Sequence, residues 1–366
     1  MNIAIIGSGA VGASCAYYLS KESDLEITVF DYGVGQATKA AAGIISPWFS
    51  KRRNKAWYTL ARLGADFYPL LLADLEADGI ANDFYKQTGV LLLKKDESKL
   101  DELYELASLR HEESPLMGDL ALLDSCQISP LFPDLTGFSK ALYASGGARV
   151  DGARLTKTLL EASRLEPVKE KVTLEVTETG YRILGKSFDK VILATGAWLG
   201  ELLTPLGYQV DIRGQKGQLE DYYFEDRVTD DYPVVMPEGE ADIIAFDNGK
   251  IALGASHEND KGFDLRVDKT VLDGLKEQVA PYFSQWDKAS RHKSRVGTRA
   301  YTSDFSPFIG QVPGLAHVYA ASGLGSTGLT IGPFLGKQLA SLLLEQPLDI
   351  TLENYPIERY IHLDKC

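Results

Sequence analysis

The sequence predicts an α/β fold in which a Rossmann-type, dinucleotide-binding domain is interleaved with a smaller α+β domain built on an antiparallel sheet. Three observations carry this. A Gly-rich loop joins a strand to a helix within the first twenty residues, a second Gly-rich strand–loop–helix lies after residue 317, and short alternating strands fill residues 212–299 between them. With 366 residues the chain is long enough for about two to three domains. The nucleotide-type signals at both ends make two discontinuous domains the economical division: 1–80, 141–210 and 300–366 on the cofactor side, 81–140 and 211–299 on the substrate side.

Residues 2–6 form a short apolar run suited to a strand buried on both faces of a parallel sheet. Gly7-Ser8-Gly9-Ala10-Val11-Gly12 follows at once, and residues 13–20 read as a helix. A second strand, 25–30, ends on Asp31, nineteen residues after Gly12. That is the context in which GxGxxG binds an ADP-containing cofactor. Gly7 makes the tight turn, Gly9 lets backbone N–H groups approach a pyrophosphate, Gly12 packs the helix on the sheet, and Asp31 accepts from an adenosine ribose hydroxyl. Ala10 and Val11 line the same turn. An acid at the ribose position argues against a 2′-phosphate and favours NAD or FAD over NADP.

Apolar residues at helical spacing predict a helix over 54–77 and an amphipathic one over 97–113, with a strand at 87–94 between them. A helix over 151–162 starts from Asp151 as N-cap. Strands follow at 172–177, 181–184 and 190–193, the last running into Ala194-Thr195-Gly196-Ala197-Trp198. Beyond residue 212 come strands at 217–223, 243–246 and 251–253, with Asp247-Asn248-Gly249 as a hairpin turn, and one helix at 269–282. A strand at 317–322 and a helix at 333–345 complete the order.

The net charge of −13 repels phosphate backbones and anionic lipid, so nucleic acid is not an expected partner. Cys15, Cys126 and Cys366 are too sparse for a disulfide framework and, with the five histidines, show no metal-ligand spacing. The expected setting is a reducing cytoplasm, without metal. The two uncharged stretches, 1–20 and 318–336, are broken by Gly, Ser and Thr, and neither is expected to span a bilayer. Trp48-Phe49 beside Lys51, Arg52, Arg53 and Lys55 admits a weak peripheral membrane contact, against the competing reading of a solvated loop.

Further motifs resemble the FAD-dependent D-amino acid oxidase family, above all its glycine oxidase, sarcosine oxidase and D-amino acid dehydrogenase branches. Thr38-Lys39-Ala40-Ala41-Ala42-Gly43-Ile44-Ile45 resembles the small-residue loop that runs along the pyrophosphate toward the isoalloxazine. Thr195, Gly196 and Trp198 match the family's Ala-Thr-Gly strand end, and Val150-Asp151-Gly152 matches its Val-Asp-Pro with the third position changed. Gly254-Ala255-Ser256 resembles a strand end of its substrate domain. Arg299 to Gly310 matches Arg-Pro-x-Thr-x-Asp-x-x-Pro-x-Ile-Gly apart from the first Pro. Gly323-Leu324-Gly325-Ser326-Thr327-Gly328-Leu329-Thr330 matches the flavin-edge loop. This second GxGxxG has no βαβ unit or ribose acid after it. It therefore reads as a helix N-terminus aimed at the flavin pyrimidine ring, not as a second nucleotide site.

The resemblance implies a glutathione-reductase-like FAD domain and oxidation of the C–N bond of a small amino acid or secondary amine acid, of D-amino acid, glycine or sarcosine type. Hydride would pass to flavin N5 and water would hydrolyse the imine. It implies Arg299 as the carboxylate anchor, through the two-pronged grip of a guanidinium. Tyr301 and His257 are secondary catalytic candidates. Sarcosine oxidases link a cysteine to the flavin where Arg299 stands here, so non-covalent FAD is implied. The tyrosine that glycine oxidases place near Asp242 or Ile243 is absent, which leaves the exact substrate open. The acceptor, oxygen or a quinone, and a homo-oligomeric state are also left open. The rival readings are an NAD-dependent dehydrogenase using the first loop alone, and a flavin-dependent tRNA-modification-type oxidoreductase.

Overall fold

The computed structural model describes residues 1–364; Cys366 lies outside them. Strands Asn2–Ile6, Glu26–Phe30, Lys190–Leu193 and Val318–Ser322 form the parallel core of a five-stranded sheet, with Phe308–Gln311 antiparallel at one edge. Its central strands are apolar because helices cover the sheet. Helix Ala10–Leu19 is sandwiched between Gly328–Leu343 and Gly152–Ser163, and Lys55–Ala77 packs outside Gly328–Leu343. A Cβ on Gly336 would stand 2.4 Å from the Val11 carbonyl oxygen, so the first two helices meet backbone to backbone.

The second layer is an eight-stranded sheet whose first two strands, Arg291–Tyr301 and Arg213–Tyr223, pair antiparallel over eleven residues each. Lys250–Gly254, Asp242–Ala245, Val234–Met236, Val90–Leu92, Lys140–Ala144 and Leu120–Asp124 follow in that order. All neighbours are antiparallel except Val234–Met236 with Val90–Leu92. Asn248 and Gly249 both take positive φ at the expected hairpin turn. Lys140–Ala144 belongs to this sheet, so a boundary drawn at residue 141 cuts through a strand.

Three of the differences from the sequence reading have a clear physical reason. The first helix begins at Ala10, not residue 13, because Gly9 is its N-cap and Gly12 lies inside its first turn. The strand at 87–94 is two strands in two sheets, Tyr85–Gln87 and Val90–Leu92. Gly89, at φ +87°, turns the chain between them, and Thr88 and Gly89 both donate to the Gly147 carbonyl. The last helix starts at Gly328, so Pro333 sits inside it. Proline has no N–H for the carbonyl four residues back, and that Leu329 oxygen instead accepts from Tyr68 Oη at 2.6 Å. An additional strand, Lys186–Phe188, pairs with Gly180–Ile183 across the Leu184–Gly185 turn.

Trp48 and Phe49 are buried. They occupy a short 3-10 turn, and Arg110 donates to the Trp48 and Ser50 carbonyls. Aromatics packed inward cannot insert into a lipid surface, which removes the basis for the membrane contact. Among the described residues no helix is long and apolar enough to cross a membrane.

Candidate active site

Two cavities meet between the sheets. One, of about 850 Å³, lies over the carboxyl ends of the parallel strands; the other, of about 660 Å³, runs from there to the large sheet. They share Ala37, Thr38, Gly325 and Gly328, so together they form one elongated groove. Carboxyl ends of parallel strands are where α/β sheets bind ligands.

The first cavity is built by the amino-terminal loop. Gly7 has φ +97° and a Cβ there would lie 2.3 Å from the Ala194 carbonyl oxygen; on Gly12 it would lie 1.8 Å from the Gly7 oxygen. Both positions are closed to any side chain. Gly9 differs, since a Cβ would meet only Thr38 Oγ1, at 3.1 Å. Its side faces the cavity. Gly7, Gly9, Ala10, Val11, Asp31, Thr38, Thr195, Gly196 and Trp198 all line this space, whereas Gly12 packs behind it. The helix that starts at Ala10 has no side-chain cap and no acid in its first turn, which leaves its positive end for an anion. Thr38 Oγ1 holds the Ala10 N–H at 3.0 Å and so ties the second loop to the first.

Asp31 accepts from the Ser8 amide at 2.7 Å, Gln36 Nε2 at 2.8 Å and the Gly33 amide at 2.7 Å, as well as from the Ser8 hydroxyl. Oδ1 takes only the Gly33 amide and keeps capacity for a ribose hydroxyl. Thr195 Oγ1 is buried without a hydrogen-bond partner and lines the same cavity. Gly152, the departure in the Asp151 motif, would place a Cβ 2.0 Å from the Thr38 oxygen. It lets a second capped helix abut the cofactor loop, with Asp151 accepting from Ala153 and Arg154.

The second cavity brings together Ala42, Gly43, Ile44, Ser326, Thr327, Leu329, Thr330, Arg299 and His257. The helix beginning at Gly328 also lacks a side-chain cap and a first-turn acid. Gly323 lies outside the cavity and, at φ +77°, makes the turn into this loop. Tyr301 lines neither cavity. Its ring packs against Gly325 and its Oη accepts from the Ser326 amide at 3.0 Å. Tyr301 therefore positions the loop, and the substrate contact expected of it is not where the fold puts it. Tyr301→Phe is expected to cost about 0.5–1.5 kcal/mol in thermal stability and to shift the visible absorbance of bound flavin. A residue packing only into the core would leave that spectrum alone.

Arg299 stands in the long edge strand opposite Gln215. Its Nη1 donates to Gln215 Oε1 at 3.1 Å and to the Ser256 carbonyl at 2.7 Å. The guanidinium lies over Gly217, where a Cβ would be 2.7 Å away. Burial pulls its pKa down, while Tyr301, Glu240 and Glu258 support the charge; a guanidinium keeps its proton regardless. His257 Nδ1 is 2.9 Å from Glu240 Oε1, and burial together with Arg299 holds the ring below its ordinary pKa.

Three wall residues carried no sequence signal as site residues, Lys94, Glu240 and Ser46, and Asp242 stood out only as the neighbourhood of an absent tyrosine. Burial pushes the Asp242 carboxyl up to about 8, with Lys94 acting the other way. Ser46 Oγ is buried and unpartnered. Gly217 could have been found, because a glycine inside an alternating strand marks a close approach.

The groove, its glycine cradle and its orphaned hydroxyls define a dinucleotide-binding protein, and they fit FAD. A model of the FAD dependent oxidoreductase family, DAO, matches residues 2–342. The chain belongs to that family, and FAD is its cofactor. This displaces the rival reading of an NAD-dependent dehydrogenase. An uncharacterised oxidoreductase, YurR, of Bacillus subtilis is 41% identical over 96% of this chain and 97% of its own. Glycine oxidase of Pseudomonas putida is 28% identical, over 93% and 94%. The crystal structure of iminodiacetate oxidase (IdaA) from Chelativorans sp. BNC1 superposes with a TM-score of 0.91 at 31% identity, over 96% and 98%.

Proposed function

We propose that the protein oxidises the C–N bond of a small amine that carries a carboxylate, an amino acid or secondary amine acid, and that Arg299 holds the carboxylate. The observation that carries this reading is a half-buried guanidinium in the second cavity that faces no carboxylate of the described chain within 4.0 Å. A buried cation without a counter-ion is costly, and a substrate carboxylate supplies one through two parallel bonds. Glycine and iminodiacetate, for which two of the relatives are named, are both amines with carboxylates.

FAD, when bound, accepts the two electrons of the substrate C–H bond. The protein's part is placement. Arg299 fixes the carboxylate end, and the Ala42–Ile44 and Gly325–Thr330 loops close the two sides of the groove. The uncapped helix end at Gly328 would favour negative charge on a flavin held beside it. His257, whose pKa burial and Arg299 hold below the ordinary value, forms the wall with Glu240. Removal of a hydride from carbon and a proton from nitrogen would leave a C=N bond, which water hydrolyses to a 2-oxo acid and ammonia or, from a secondary amine, an amine.

Neither Cys15 nor Cys126 lines the groove, which supports a non-covalent cofactor. Both are free thiols, in keeping with a cytoplasmic enzyme. The alternation of the two sheets along the chain supports two interleaved domains, with the boundary after Ala144.

An anaerobic panel of glycine, sarcosine, D-amino acids and iminodiacetate tests the reading, with bleaching of the flavin as the signal. Reduction by at least one of them is expected. Reduction by none overturns it, and repeating the productive case with oxygen identifies the acceptor.

A further inference from the structure

Five basic side chains line the second cavity: Lys51, Lys94, Lys99, His257 and Arg299. Three already face a carboxylate. Lys51 pairs with Glu102 at 2.8 Å, Lys99 with Glu238 at 2.8 Å and His257 with Glu240 at 2.9 Å. Arg299 and Lys94 have no carboxylate within 4.0 Å among the described residues.

They stand on different walls. Arg299 is in the edge strand of the eight-stranded sheet, whereas Lys94 follows Val90–Leu92, five strands further along it. Lys94 is half-buried, and that burial pulls its pKa below the ordinary lysine value. Asp242 lies on the wall between them and has no hydrogen-bond or ion-pair partner among the described residues. With its proton held up to about pH 8 it does not repel an anion.

A monocarboxylate would satisfy one cation and leave the other desolvated. We propose that Lys94 is a second carboxylate anchor and that the substrate is a dicarboxylic amine, one carboxylate on Arg299 and the other on Lys94. This rests on the function proposed above and narrows its substrate class.

The test uses non-oxidisable ligands on the FAD-loaded protein, so that binding is read apart from turnover. Glutarate, adipate and pimelate are titrated beside butyrate, valerate and caproate, and perturbation of the flavin spectrum gives each Kd. The best dicarboxylate should bind about 10- to 100-fold more tightly than the monocarboxylate of nearest length, the range for one charge-assisted bond. Its length reports the spacing of the two cations. In Lys94→Met, of similar length without charge, this preference should vanish.

A ratio of affinities is insensitive to partial unfolding, so a fragile variant still gives an answer. No dicarboxylate preference in the parent protein, or a preference that survives Lys94→Met, overturns the second anchor. The outcome is separable from that of the amine panel: flavin reduced by sarcosine without any dicarboxylate preference sinks this inference and leaves the proposed function standing. A dicarboxylate preference with no amine reducing the flavin keeps Lys94 as a carboxylate anchor and sinks the proposed function together with the amine substrate.

Discussion

Arg299→Ala is expected to keep its FAD and to lose substrate binding by about 2–5 kcal/mol, the cost of truncating one partner of a desolvated charge pair. That is roughly 30- to 5,000-fold in kcat/KM at about tenfold per 1.4 kcal/mol. The residue touches the second cavity alone, while the glycine loop and Asp31 line the first. Flavin content should therefore stay at parent level, and unchanged turnover in the variant would refute the assignment. Arg299→Lys separates charge from shape, because an ammonium cannot make the two parallel bonds of a guanidinium. Gly217→Ala gives an independent route to the same loss. Its new methyl would lie 2.7 Å from Nη1 and would push the fork out of place without removing it.

Gly9→Val should give a folded protein that no longer retains FAD. Gly9 has φ −68°, which any residue adopts, and its only close neighbour is the Thr38 hydroxyl at 3.1 Å. The new side chain projects into the space the pyrophosphate needs, between the uncapped helix end and the Thr38 loop. Losing about two charge-assisted bonds at 1.5–3 kcal/mol each weakens the cofactor by a factor on the order of 100 or more. Flavin fluorescence on titrating the apoprotein measures that loss, and circular dichroism shows the fold retained. Gly12→Val is the contrast. Its Cβ collides with backbone at 1.8 Å, so loss of soluble protein is expected instead. Tight FAD binding by Gly9→Val would show that the cradle is not the pyrophosphate site.

The cofactor half of the groove was legible because local sequence builds it. A strand, a glycine turn and a helix are contiguous, each glycine has a steric reason readable from its neighbours, and Asp31 follows at a fixed distance. The same contiguity exposed the Gly323–Thr330 loop. The helix starts at Ala10 and Gly328 were read late because loop glycines at an N-terminus look like turn until the cap is seen.

The substrate half was not legible in this way. Lys94, Asp242, His257 and Arg299 come from four separated stretches, and an ordinary lysine after a short strand carries no local mark. Tyr301 shows the converse. It shares a face with Arg299 two residues away, since side chains alternate along a strand, yet it ends beneath Gly325, because the strand runs out under the loop.

By itself, then, the sequence determined the α/β class and the nucleotide loop, both consequences of short-range pattern, while Arg299 was singled out by family resemblance. Only the tertiary structure decided which charges meet in the second cavity and which are left without partners. Pairing across eight strands is set by sheet register, and no local spacing encodes it.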